Sequence, residues 1–428
     1  MIAITVMLLL VSLIVLGMPI AFALAVTGTI GMYVTVGFEP MLGVLKTTPY
    51  RTSASFLLST VPLFILMAEL LARGSIVRNL YRACYVWMGH VRGGLALAAI
   101  AANVGFAVLS GSSTAAAAAM SRISIPEMRR YGYDESFALG VVAIGGTLSI
   151  LIPPSLPLIL YGVMTETSIG KLFLAGILPG VLTVAVYMLV ILIQVRRRPE
   201  IAPATERHDW SERIGALPST WPVLMLMVLV LGGIYSGAIT ATEAAAVGAT
   251  GALLISIAFG GLRGQGLKEA FSSTLRTTSM IFSIIIGAMI FGYFLAITQM
   301  PQALVDWVGG LPLPPGAILA IIVLIYLVLG FFIDQIAIIV LTLPLIFPLV
   351  QSLGYDPIWF GIIVTKTAEL GLVTPPLGMN VFVACGVSGA RVEDGFRGIT
   401  PLLIGDALVL LVLILLPGIV TYLPNQMF

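Results

Sequence analysis

Apolar blocks recur along the whole chain, over residues 1–16, 18–37 and 55–72, then 136–163, 172–195, 220–239, 242–261, 277–298, 358–387 and 399–423. A membrane helix needs about 20 apolar residues, so the pattern predicts about ten spans, the first two joined as a tight hairpin near Gly17. Two further stretches, 93–125 and 316–350, are apolar but broken near the middle by polar residues, and each predicts two short helices. The second limb of the first, 115–125, is too short to cross. A Ser110-Gly111-Ser112-Ser113-Thr114 tip is also costly at membrane depth unless protein lines it. Both stretches therefore read as re-entrant helical hairpins, and the expected fold class is an all-α polytopic membrane protein.

Composition sharpens this. Of 428 residues, 59% are hydrophobic and 9% charged, against about 25% charged in a soluble domain, which excludes a soluble protein. The net charge is +2 and the basic residues are scattered through short loops, so nucleic acid is excluded as a partner. The N-terminus lacks a basic leader region and runs into a second apolar block, which marks a retained span instead of a cleaved signal. Cys84 and Cys385 have no metal-ligand spacing, and His90 and His208 fall in polar loops as solvated side chains.

Charge also sets the orientation, because Lys and Arg in short loops stay cytoplasmic. Arg73, Arg78, Arg82 and Arg92 precede the first hairpin and Arg122, Arg129 and Arg130 end or follow it, so both its ends are inside. The second hairpin is flanked by 299–315 and 351–357, which contain no Lys or Arg, so both its ends are outside. Strict alternation then places seventeen of the 21 basic residues in the cytoplasm, with Lys46, Arg51 and Lys171 outside and Lys366 within a span. Both termini are periplasmic in this arrangement.

The chain repeats itself at an offset of 222 positions. Gly132-Tyr133-Asp134 falls on Gly354-Tyr355-Asp356, Pro153-Pro154 on Pro375-Pro376, and Gly176-Ile177 with Pro179 on Gly398-Ile399 with Pro401. One copy enters from the cytoplasm and the other from outside. Inverted repeats of this kind are common in secondary transporters, with sites near the midplane where the repeats meet.

Each copy breaks its membrane elements twice. The hairpin tips are Ser110 to Thr114 and Ile333-Asp334-Gln335; the spans that follow break at Gly145-Gly146-Thr147 to Pro153-Pro154-Ser155 and at Glu369-Leu370-Gly371 to Thr374-Pro375-Pro376. A Pro-Pro pair inside a span frees carbonyls from their helical partners. Freed carbonyls and hydroxyls can replace the hydration shell of a small cation, and half-helix N-termini can face a carboxylate. The chemistry implied is cation-coupled uptake of an anion. Glu69, Glu243, Asp334, Lys366, Glu369 and Asp406 are ionisable residues inside apolar blocks and so functional candidates. Lys366 and Glu369, three apart on one helix, form either a mutual ion pair or a substrate or cation contact. No GxxxxGK[ST] motif occurs, so ATP hydrolysis through a phosphate-binding loop is not expected.

The Ser-Gly-Ser-Ser tip, Gly145-Gly146-Thr147 leading into Ile152-Pro153-Pro154-Ser155, the segment Ala241-Thr242-Glu243-Ala244-Ala245-Ala246, and the run from Glu369-Leu370-Gly371 to Thr374-Pro375-Pro376-Leu377-Gly378 together resemble the large membrane subunit, the DctM-like permease, of tripartite ATP-independent periplasmic (TRAP) transporters. The likeness extends over essentially the whole chain. It implies an elevator-type, sodium-coupled importer of organic acids in the bacterial inner membrane, held by a separate small membrane subunit and supplied by a periplasmic solute-binding protein. It divides the chain into scaffold helices 1–92, a first transport repeat 93–180, scaffold and connecting arm helices 181–314, a second transport repeat 315–402 and a C-terminal span segment 403–428. The first Na+ site would use Ser112, Ser113, Gly145, Gly146 and carbonyls before Pro153. The second would use Thr342, Gly371, Thr374 and Gly378. Ser110, Thr114, Asp334, Asn380 and Lys366 would contact the substrate. The alternatives are an anion channel and a membrane scaffold without a transport site of its own.

The topology is checked by single cysteines in a background lacking Cys84 and Cys385. Ser75→Cys should react with an impermeant maleimide only from the cytoplasmic side and Pro312→Cys only from the periplasmic side. Labelling of both from one side contradicts the inverted arrangement.

Overall fold

Glycine and proline mark many helix ends, such as Gly37, Gly111 and Pro314, while Pro126, Pro179 and Pro401 lie inside helices. In a computed structural model that describes residues 2–427, the side chains of residues 108, 109 and 219 excepted, every regular element is a helix. Ile2–Val15 and Ile20–Val36 make the first hairpin. They turn at Gly17, whose φ of +86° is a conformation that side-chain-bearing residues avoid.

Seven described helices are long and apolar enough to cross a bilayer singly, and nine when each of two bent pairs counts as one span. Length alone therefore gives fewer than the ten expected spans, since Ile2–Val15 and Ile20–Val36 have only 14 and 17 residues. The seven include Pro315–Phe332 and Gln335–Ser352, both limbs of the second expected hairpin. The limb expected at 115–125 is also longer than its apolar run: it extends over Ser113–Arg130, 18 residues, because the helix continues through Pro126 to the basic residues. Limb shortness is thus no ground for re-entrance. The burial of the tip, with Ser110 and Ser113 6% and 2% exposed, remains one.

Helices also form where the apolar pattern predicts loops. Phe38–Ser53 is helical and meets the next helix at a 55° bend. Ile76–Met88 carries Arg78 and Arg82 on an exposed face and buries Ile76, Val77, Leu80 and Tyr81 on the other. Its apolar residues recur at helical spacing instead of running continuously. The histidines are not simply solvated either: His90 Nδ1 lies 3.1 Å from Arg213 Nη2, and His208 Nδ1 lies 2.8 Å from Glu212 Oε2.

The internal repeat is visible element by element. Ser113–Arg130 and Gln335–Ser352 begin and end at the same offset, and the broken spans start at Glu135 and Pro357. Equivalent residues cap equivalent helices. Asp134 Oδ1 accepts from Phe137 N at 2.8 Å and Asp356 Oδ1 from Trp359 N at 2.9 Å. Ser112 and Asp334 cap the second limbs of the two hairpins, accepting from Ala115 N and Ile336 N.

The repeats meet through bare backbone. Gly140 on Glu135–Gly146 crosses Gly398 on Val392–Leu415 so closely that a methyl added to Gly398 would lie 1.6 Å from the Ser136 carbonyl oxygen. Gly330 and Gly371 make a similar crossing between the second hairpin and the second broken span, where a Gly371 methyl would lie 2.6 Å from the Gly330 Cα. Small residues of this kind let membrane helices approach and gain packing. Gly398→Ala should therefore destabilise the purified protein by about 1–3 kcal/mol or more, read as a lower Tm. Gly386→Ala, whose methyl meets nothing within 4 Å, should leave Tm unchanged; equal Tm values for the two variants contradict the crossing.

Candidate functional site

The first broken span packs its glycines on the first hairpin. A side chain on Gly145 would strike Asn103 Nδ2 at 2.3 Å, and one on Gly146 would strike the Ser113 carbonyl oxygen at 2.7 Å. These two residues act as contact surfaces that bring hairpin tip and helix break together. Around them stand Ser110, whose Oγ donates to Ser149 Oγ at 3.3 Å, and Ser112, whose Oγ lies 3.4 Å from Thr114 Oγ1. Pro153 is buried beside them in the break that Ile152 opens with an extended backbone and Ser155 closes as the next helix cap. Both prolyl–prolyl bonds, Pro153-Pro154 and Pro375-Pro376, are cis.

A carboxylate from the second repeat reaches this tip. Ser113 Oγ donates to Glu369 Oε1 at 2.5 Å, while Asn380 Nδ2 donates to Ser113 Oγ at 2.5 Å and more weakly to Glu369 Oε1 at 3.4 Å. Asn380 is fully buried and Glu369 is 1% exposed, so Asn380 sits inside this cluster and not on an open face.

One turn before Glu369, Lys366 points elsewhere. It is ion-paired with Asp406, which also accepts from Tyr187 Oη at 2.5 Å, and Tyr187 Oη lies 2.9 Å from Thr147 Oγ1. A mutual Lys366–Glu369 pair is therefore not what forms: the ammonium lies on Asp406 of Val392–Leu415, at 1% and 0% exposure for the two partners. This chain ties the first break, through Thr147, to the second broken span.

The second set of candidates is more dispersed. Thr342 Oγ1 donates to Ile338 O at 2.8 Å and lies 2.5 Å from Tyr326 Oη. Thr374 Oγ1 donates to Leu370 O at 2.5 Å where the broken span ends. Both hydroxyls keep lone pairs after donating to their own helices. Gly378, with φ of +46°, starts the half-helix that carries Asn380. Asp334 is half-buried at its tip, and Pro375, Pro376 and Leu377 are exposed, whereas Pro153 and Pro154 are buried. The two breaks match in sequence and differ in access.

The remaining intramembrane candidates have local partners. Glu69 Oε1 accepts from Ser273 Oγ at 2.6 Å and its Oε2 from Arg73 Nε at 3.1 Å. Glu243 forms a capping box with Thr240, which accounts for the acid in the Ala-Thr-Glu-Ala motif.

Several buried polar atoms have no hydrogen-bond partner among the described residues: Glu369 Oε2, Asn380 Oδ1, Asp406 Oδ2 and both polar atoms of Asn103. Such atoms are costly to bury, and most of these are acceptors, the donor set a small cation needs. Asn103 and Tyr187 are not expected from sequence, and Glu369 is a candidate there without a place in either ion site. The 222-position offset could have found Glu369, because it falls on Thr147 beside Gly145-Gly146.

The family described as "Tripartite ATP-independent periplasmic transporter, DctM component" matches residues 6–419. The chain is 38% identical over 379 residues to the C4-dicarboxylate TRAP transporter large permease protein DctM of Pseudomonas aeruginosa, covering 88% of each chain. It is 32% identical over 417 residues to the sialic acid TRAP transporter large permease protein SiaM of Vibrio cholerae, covering 96% of this chain and 95% of that one. It is 31% identical over 423 residues to the ectoine TRAP transporter large permease protein TeaC of Halomonas elongata, covering 98% of each. In fold it is similar to the crystal structure of the YdaH transporter of Alcanivorax borkumensis, with a TM-score of 0.60 at 15% identity over 89% of this chain and 90% of that one.

The buried pair gives a stability prediction. Lys366→Met alone strands the Asp406 carboxylate and should cost about 3–5 kcal/mol, seen as loss of monodisperse protein or a large fall in Tm. Lys366→Met combined with Asp406→Leu should recover most of it. A single variant as stable as the double contradicts the pairing.

Proposed function

This chain belongs to the DctM component family of tripartite ATP-independent periplasmic transporters, multi-pass membrane permeases, and we propose that it imports a small organic anion across the bacterial inner membrane by sodium coupling. The observation that carries this reading is the pair of inverted breaks with buried oxygen acceptors around them. Ser112, Ser113 and the carbonyls at Gly145, Gly146 and before Pro153 would hold one Na+; Thr342, Thr374 and the backbone at Gly371 and Gly378 would hold a second. The substrate's carboxylate would bind between the tips, close to Ser110, Thr114 and Asp334.

The unequal exposure of the two breaks supports alternating access. Inverted copies exchange roles when a transporter changes sides, so one state should bury one break and open the other. The elevator reading follows: hairpins and broken spans move as one body against the remaining helices. A cavity of about 1140 Å³ beside the predicted cytoplasmic end of the first hairpin is lined by Arg78, Arg82, Arg122 and Arg130, and its positive rim would favour an anion leaving inward. A channel would need no such paired, differently exposed breaks.

The relatives' names cover a C4-dicarboxylate, sialic acid and ectoine, which supports an organic acid as the solute class for this chain. A C4-dicarboxylate is the first candidate. The family's tripartite organisation supplies the partners we propose, a small membrane subunit and a periplasmic binding protein.

Uptake into proteoliposomes tests this. The complex with its small subunit and loaded binding protein should accumulate labelled solute only under an inward sodium gradient. Thr374→Ala and Ser112→Ala should each raise the sodium concentration for half-maximal uptake by about tenfold, the equivalent of 1.4 kcal/mol. Accumulation without a sodium gradient, or without the binding protein, contradicts the proposal.

A further inference from the structure

Three ionisable side chains lie buried together in the molecule, and only two of them form an ion pair. Lys366, Glu369 and Asp406 are each at most 1% exposed. Lys366 is committed to Asp406, so Glu369 is left without a basic partner. Among the described residues its donors are uncharged: the Ser113 hydroxyl and the Asn380 amide. A carboxyl buried this way holds its negative form only with a positive charge nearby.

The Ser113 hydroxyl shows where that charge would sit. Its proton goes to Glu369 Oε1 and one lone pair accepts from Asn380 Nδ2, so the remaining lone pair points away from both. Glu369 Oε2 and Asn380 Oδ1 add two buried acceptors without partners. Gly146 lets the first broken span close on the Ser113 backbone from the other side. The hydroxyl thus comes from the tip of one repeat, and the carboxylate and amide come from the other.

We propose that Glu369 is the counter-charge and positioning residue of the first cation site, supplied across the repeat interface: it orients the Ser113 oxygen and neutralises the bound ion. This rests on the sodium-coupled reading above and adds to it a residue that neither hydroxyl nor carbonyl chemistry provides. One consequence is mechanical. With the ion present, Ser113, Asn380 and Glu369 hold the first hairpin to the second broken span. An ion bound there would hold Glu369 in its negative form beside Ser113 and Asn380, so occupancy of the first site bears on contact between the repeats.

The test reads sodium binding apart from transport. In the purified complex, NaCl should raise Tm above the effect of equimolar choline chloride, and Glu369→Gln, which keeps the shape, should shift the half-maximal concentration upward by about tenfold or more. In uptake the same variant should show a matching shift in sodium dependence, with solute KM at saturating sodium within about threefold of wild type. Ser113→Ala should resemble it, and the double variant should be no worse than either single, as expected for groups acting through one contact. If Glu369→Gln does not fold, Glu369→Asp carries the test: it keeps the charge but withdraws it by one methylene, and a shift of about threefold or more is expected. A sodium response in Glu369→Gln or Glu369→Asp equal to wild type overturns the inference while leaving sodium coupling intact. A wild-type protein with no sodium-specific response overturns both.

Discussion

A polar group inside a bilayer must find its partner within the protein, because the hydrocarbon offers none. Most of what is distinctive in this chain follows from that requirement. Ser112 and Asp334 cap the helices that follow the two tips, and the first tip is packed against the broken spans. Pro153 and Pro375 interrupt spans at equivalent positions, and the freed backbone around the first is enclosed by protein. Gly140, Gly398, Gly330 and Gly371 bring backbones close enough for this enclosure.

The same requirement sorts the charges. Glu69 and Glu243 satisfy it with neighbouring side chains or backbone, Asp406 has an ammonium partner and one oxygen left open, and Glu369 has only uncharged donors among the described residues. Where structure has settled a buried charge with a partner, a structural role suffices. Where it has left an acceptor set open, at the junction of the two repeats, a cation is the partner we propose.

Much of the architecture is legible in the sequence because glycine, proline and helix caps act locally. Gly132 and Gly354 turn the chain with φ of +73° and +80°, and the Asp two residues after each caps the next helix. The repeat could be read from such residues alone. Amphipathic helices such as Ile76–Met88 escape a reading tuned to continuous apolar runs, and the extension of the limb Ser113–Arg130 through Pro126 escapes it for the same reason. Partner choice is a different matter. Spacing suggests Glu369 for Lys366, but tertiary packing brings in Asp406 from forty residues away, and with it Tyr187 and Thr147. The Ser113–Glu369 contact spans 256 positions and has no local signature beyond the offset that pairs Glu369 with Thr147.

The central claim is that the two breaks form two separate cation sites. Equilibrium binding of radioactive sodium to the purified complex addresses it directly. Saturable binding with two ions per chain, one of them weakened about tenfold in Ser112→Ala and the other in Thr374→Ala, is the predicted result. Absence of saturable sodium binding, or loss of all of it in either variant with the fold intact, would contradict it.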